Sequence, residues 1–156
     1  MKRYLASFVA VAGLAAMPAG ASAATVCPPT TLYCIPSAVT PAEAAQATSS
    51  AAGRSLSKLK PAALAGKGGV GLPGTASGPG TLEIVITAKI HGKTVVIGSG
   101  TSTTSSAGTT TVKLVLTKAG KRALKGHKGK LQITVTATFT PKGGKATTAS
   151  SKVGLK

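Results

Sequence analysis

Six basic side chains fall within thirteen residues of this chain: Lys118, Lys121, Arg122, Lys125, Lys128 and Lys130. If Ala119 to Leu124 turns as a helix, Lys118, Lys121, Arg122 and Lys125 stand at i, i+3, i+4 and i+7, on one face. Ala119 and Leu124 then point to the core. Such a patch attracts phosphate-rich polymers by releasing their counterions. The plainer alternative is a solvated basic face. No aromatic platform accompanies the charges, so sequence-selective or single-strand nucleic-acid binding is not expected.

Other reactive side chains are scarce. Glu43 and Glu83 are the only carboxylate side chains, so a paired acid–base site would need both of them. A serine triad would need His91 or His127 oriented by Glu83. Serines are plentiful, yet no nucleophile-elbow motif frames one. Cys27, Cys34 and the two histidines lack the usual spacing of a zinc site. No catalytic residue, metal or cofactor is expected. Two short motifs also fall away. Lys67-Gly68-Gly69-Val70-Gly71 resembles a Walker-type phosphate loop, but Leu72-Pro73 replaces the Lys-Ser or Lys-Thr that must follow, and Pro73 opposes the required helix. Leu72-Pro73-Gly74-Thr75-Ala76 resembles a sortase motif, but no apolar segment and basic tail follow it closely.

The 156 residues suggest one domain with extensions. Residues 1–23 have the pattern of a secretory signal peptide: Lys2-Arg3, an apolar run from Tyr4 to Ala16, and Ala21-Ser22-Ala23 at the cleavage point. The apolar run is shorter than the ~20 residues a membrane span needs. Processing removes Lys2 and Arg3 from 19 basic residues, leaving 17 against two glutamates, a net charge of about +15. That balance favours anionic neighbours such as cell-wall polymer, lipid or nucleic acid; it also keeps strand edges soluble. Cys27 and Cys34, an even pair in an exported chain, are read as a disulfide closing the loop Pro28–Tyr33, contributing roughly 2–3 kcal/mol. A lipid-anchored cysteine is the rival, and Thr25-Val26 fits its signal poorly. A reactive or metal-bound pair is the remaining alternative.

The elements follow from periodicity. Thr40-Pro41-Ala42-Glu43 has the form of a helix start, with Thr40 as cap and Glu43 reaching back to it. The helix beyond it reads as weak, interrupted by Thr48, Ser49 and Ser50. Leu56, Leu59 and Leu64 sit at near-helical spacing and could dock on the domain. Gly66 to Gly80 reads as a glycine-rich linker, and residues 35–80 are expected to be mostly disordered. From Thr81 the chain alternates. Leu82, Ile84, Ile86, Ala88 and Ile90 share a face. His91-Gly92 marks a hairpin turn into a strand over 93–98. Ser99 to Gly108 reads as a loop or frayed edge. Val112, Leu114 and Leu116 face one way, as do Leu131, Ile133, Val135, Ala137 and Phe139. Pro141 to Gly144 turns the chain into a last strand with Val153 and Leu155 inward. The fold class is therefore all-β: a small antiparallel sandwich of five or six strands over 81–156, preceded by a low-complexity segment over 24–80.

The run VKLVLTKAGKRALKGHKGKLQITVTATFTP, with its Gly-Gly turn and lysine-rich last strand, resembles a module of exported actinobacterial proteins similar to immunoglobulin-like or fibronectin-like sandwiches. The resemblance covers about 81–156 and implies a fold but no catalytic residues. The Cys-Trp-Cys core of antibody domains is missing, so the implication is architectural. Three functions stay in play. The first is a secreted or envelope-bound, noncatalytic protein of structural or adhesive type. The second is a cationic binder of anionic wall polymer, lipid or nucleic acid. The third, an enzyme, has little behind it. Partners are expected among anionic envelope polymers or other exported proteins, not small-molecule substrates.

Overall fold

The alternation in the second half of the chain puts one row of aliphatic side chains on each strand, and burying those rows against one another builds the domain. The computed structural model describes residues 38–66, 69–90, 92–127 and 129–155. The leader-like residues, Cys27 and Cys34 therefore lie outside the described residues, as do Lys67, His91 and Lys128. Residues 38–66 and the strands belong to one compact unit.

Among the described residues, three helices and six strands follow in order: α1 (Pro41–Ser57), α2 (Pro61–Gly66), β1 (Gly69–Ala76), β2 (Gly80–Ile90), β3 (Lys93–Thr104), β4 (Gly108–Leu116), α3 (Lys118–Gly126), β5 (Leu131–Pro141) and β6 (Thr147–Leu155). The strands make one antiparallel sheet in the order β1-β4-β3-β2-β5-β6. The expected all-β antiparallel character holds. Where an immunoglobulin-like sandwich divides its strands between two sheets, here they form one continuous ladder. The sheet curls, and α1 packs against β1, β5 and β6, thereby joining the two edges. Leu82, Ile84, Ile86, Val112, Leu114, Ile133, Val135 and Phe139 are fully buried inside, in one cluster with Leu56 of α1, Leu64 of α2 and Leu124 of α3. Each such side chain contributes about 1.5–3 kcal/mol over an exposed one.

Two expectations are corrected. The helix after Thr40 is not weak or interrupted: α1 runs unbroken for 17 residues. Ala44, Ala45, Thr48, Ser49, Ala52, Gly53 and Leu56 form its buried face. Small side chains there let the helix axis approach the sheet closely. A Cβ on Gly53 would lie 2.7 Å from Val153 Cγ2 on β6. Serine in a helix interior costs only about 0.5 kcal/mol relative to alanine, and the hydroxyls find partners. Thr75 N–H on β1 donates to Thr48 Oγ1 at 2.8 Å, and Thr48 Oγ1 donates to Thr75 O at 3.2 Å. Ser151 Oγ on β6 donates to Ser49 O at 2.8 Å.

The second correction concerns the glycine-rich linker, which supplies β1. Leu72, Gly74 and Ala76 point inward along it. Pro73 is two residues from Thr75, whose N–H points to the free edge. The N–H that proline lacks would face that same edge, where no ladder bond is lost. Residues expected to be disordered thus form the edge strand β1 and the helix α1 that covers it. The stretch after Gly98 also stays in the sheet, since β3 continues to Thr104.

The sheet has two ends. The turns after β1, β3 and β5 lie at one, where Lys142 N–H donates to Pro79 O at 2.9 Å. The β2–β3 hairpin, α2 and α3 lie at the other, since Ile90 pairs with Lys93, α2 leads into β1, and α3 joins the end of β4 to the start of β5. Gly92 takes φ +77° in the hairpin turn, as its sequence signal requires.

The start of α1 is a capping box. Thr40 N–H and Oγ1 donate to Glu43 Oε2 at 2.8 and 2.9 Å, and Glu43 N–H donates to Thr40 Oγ1 at 3.3 Å. The hydrogen bonds from Thr40, backbone first and side chain second, hold the Glu43 carboxyl below its ordinary value of 4.5. A carboxyl depressed in the folded state stabilises above its unfolded value and stops doing so as pH falls through the lower folded value. Chemical unfolding followed by circular dichroism should therefore show stability declining below about pH 5. Glu43→Gln should flatten that slope. An unchanged slope would remove the cap from the account.

Candidate functional site

The basic connector folds as expected in outline. Thr117 caps α3: its Oγ1 accepts from Gly120 N–H at 2.8 Å. Leu124 is buried, as predicted. Ala119 is not: it is exposed, and Gly120 takes the inward place. The reason lies in β3. A bulge between Ile86 and Thr87 of β2 leaves Ile97 unpaired on β3. Thr117 N–H donates to Ile97 O at 2.9 Å, and Thr117 Oγ1 donates to Val96 O at 2.7 Å. The first turn of α3 therefore rests directly on the bulged backbone. A Cβ on Gly120 would collide with Ile97 O, so only glycine fits. Alanine at 119 points away because the helix is seated by its backbone.

This seat fixes the direction of the charges. Lys118, Arg122 and Lys125 are exposed and Lys121 is half-buried. Lys130 is exposed beyond the helix, where His127 Nε2 lies 3.2 Å from Lys130 O and Gly129 takes φ +105°. Lys128 lies outside the described residues. The sequence pattern alone concerned this connector; the topology adds to it. α2 packs on α3, bringing the exposed Lys58 and Lys60, which bracket Leu59 between α1 and α2, to the same end. The β2–β3 hairpin adds the exposed Lys89 and Lys93. Cations from three chain segments thus share one end of the sheet. Long-range pairing creates this convergence, and no local sequence signal carries it.

The carboxylates are elsewhere. Glu43 caps the start of α1 at the opposite end, and Glu83 stands on the outer face of β2, paired with Thr101 on one side and Thr138 on the other. With no side-chain carboxylate among them, the clustered lysines keep their field rather than spending it on internal ion pairs. Repulsion between them is tolerable because the side chains are long and solvated, and it eases when a polyanion arrives.

Two other surface features stand apart from the basic end. An open hollow of about 690 Å³ lies at the opposite end, lined by Pro79, Gly80, Thr81, Thr104, Thr140, Pro141 and neighbours, with Lys142 at its rim. Its walls offer hydroxyls and one cation. The outer face of β2, β5 and β6 is a hydroxyl array, in which Thr138 and Thr148 touch through their Oγ1 atoms at 3.0 Å. Among the described residues, no helix is long and apolar enough to cross a membrane. No family model matches this chain, and neither the curated proteins nor the solved structures contain a significant match.

The close seat of α3 gives a direct test. Gly120→Ala should lower stability by about 1–3 kcal/mol, as overpacking against fixed backbone does. Ala119→Ser, one residue away on the exposed side, should change it by less than about 0.5 kcal/mol. Urea unfolding measures both. Equal tolerance of the two changes would mean that α3 is not held on Ile97.

Proposed function

We propose that this is an exported, noncatalytic β-protein of the cell envelope. Its role is structural or adhesive, and it is held in place through the electrostatic attraction of its basic end for anionic surface material. The observation that carries the reading is the gathering of Lys58, Lys60, Lys89, Lys93 and the α3 cations at one end, with both glutamates outside it. Export is supported by the leader pattern of residues 1–23 and by the resemblance of the C-terminal half to modules of exported actinobacterial proteins. The exposed threonines of the sheet suit an extracellular surface: β-branched residues stabilise exposed strand positions without adding apolar area.

Charge concentrated on one end acts differently from the same charge spread evenly. It orients the molecule, raises the local concentration of polyanion and leaves the opposite end free for other contacts. The reading therefore expects one-sided attachment.

Attachment of this kind weakens with salt because the Debye length shrinks from about 30 Å at 0.01 M to 3 Å at 1 M. Protein beginning at Ala24 should bind isolated cell envelopes at low ionic strength and elute progressively as sodium chloride rises. Replacing Lys118, Lys121, Arg122, Lys125 and Lys130 by glutamine should move elution to markedly lower salt. Retention indifferent both to salt and to this substitution would overturn the reading.

A further inference from the structure

We infer that the basic end is a lipid-facing surface that docks on an anionic leaflet, with aliphatic side chains touching the interface between the cations. The inference rests on the electrostatic reading above and names its partner. Its distinguishing observation is apolar. Val96 and Val115 are 45% and 55% exposed, and both adjoin the capped start of α3. Val96 contributes the carbonyl that Thr117 Oγ1 holds, and Val115 precedes Thr117 by two residues. Ala119 is exposed between Lys118 and Gly120.

A soluble phosphate polymer has no use for exposed valine. It is met by a stripe or groove of cations that follows its backbone. Here the cations come from three segments distributed over an entire end, an arrangement that a plane engages all at once. Aliphatic side chains beside lysines suit the boundary between headgroups and acyl chains, where lysine stems also lie along apolar surface. The absence of tryptophan from the sequence means that insertion is shallow and that charge supplies most of the affinity. Each basic residue near an anionic leaflet then contributes about fivefold in binding.

The test uses sedimentation of the protein starting at Ala24 with vesicles of phosphatidylcholine alone, or with about 30% phosphatidylglycerol, and retention on immobilised polyphosphate as the soluble-polymer arm. Binding to the anionic vesicles but not the neutral ones is expected. The Val96→Ser, Val115→Ser double variant should bind anionic vesicles about tenfold more weakly while keeping its retention on polyphosphate. The glutamine variants of α3 should lose binding in both arms. If the valine variant binds vesicles as the wild type does, the lipid assignment fails while the electrostatic reading survives. Loss of binding to both vesicles and polyphosphate at low salt in the wild type would sink both. If sedimentation velocity shows that the valines hold a dimer that serine breaks, they are a self-association patch and the lipid assignment fails.

Discussion

An open β-sheet has two unpaired edges, and in this protein a single helix answers both. β1 and β6 end the ladder, and α1 lies across them. On one side it offers the Thr48 hydroxyl as a substitute strand partner, accepting from the Thr75 N–H and donating to the Thr75 C=O. On the other it takes a hydrogen bond from Ser151 through Ser49 O. Exposed edges are templates for association with other chains, and a curled sheet with a gap leaves its core open to water. Both problems are solved by a helix whose inner face is small enough to sit between the strands. That explains a buried stripe of alanine, serine, threonine and glycine where leucine is more usual.

Curvature has its own local causes. The Ile97 bulge shifts the inward phase of β3, so that Ile97 and Gly98 are both buried. Gly100 follows two residues later, where a Cβ would lie 2.5 Å from Lys113 O on β4. Without side chains at these points, β4 can fold in close and the sheet can turn sharply. The same bulge then becomes the platform for α3. Backbone irregularity in β3 thereby determines which way the basic connector faces, and the electrostatics of the end follow from strand geometry.

Much of this was legible in the residues. The alternating rows of β2, β4 and β5 were readable because each buries one face only, which leaves a clean period of two. The Thr40–Glu43 cap and the Gly92 hairpin were readable because their chemistry is local. What escaped was non-local. Thr48 and Ser49 look like interruptions until β1 and β6 are present to use them. Gly69, Gly71 and Gly74 look like a linker, although Val70, Leu72 and Ala76 keep strand spacing between them. Apolarity alone selects Ala119 as the inward residue, whereas proximity to Ile97 O selects Gly120. Lys58, Lys60, Lys89 and Lys93 join the α3 cations only through the topology.

The account stands on α1 being part of the sheet's stability rather than an ornament upon it. Native-state hydrogen exchange tests this directly by comparing the amides of residues 49–56 in α1 with those of Ile84 and Val135 at the centre of the sheet. The account predicts that the slowest amides of both groups open with the same free energy and the same denaturant dependence, because helix and sheet unfold together. Early, low-energy opening of α1 while β2 and β5 stay protected would contradict it.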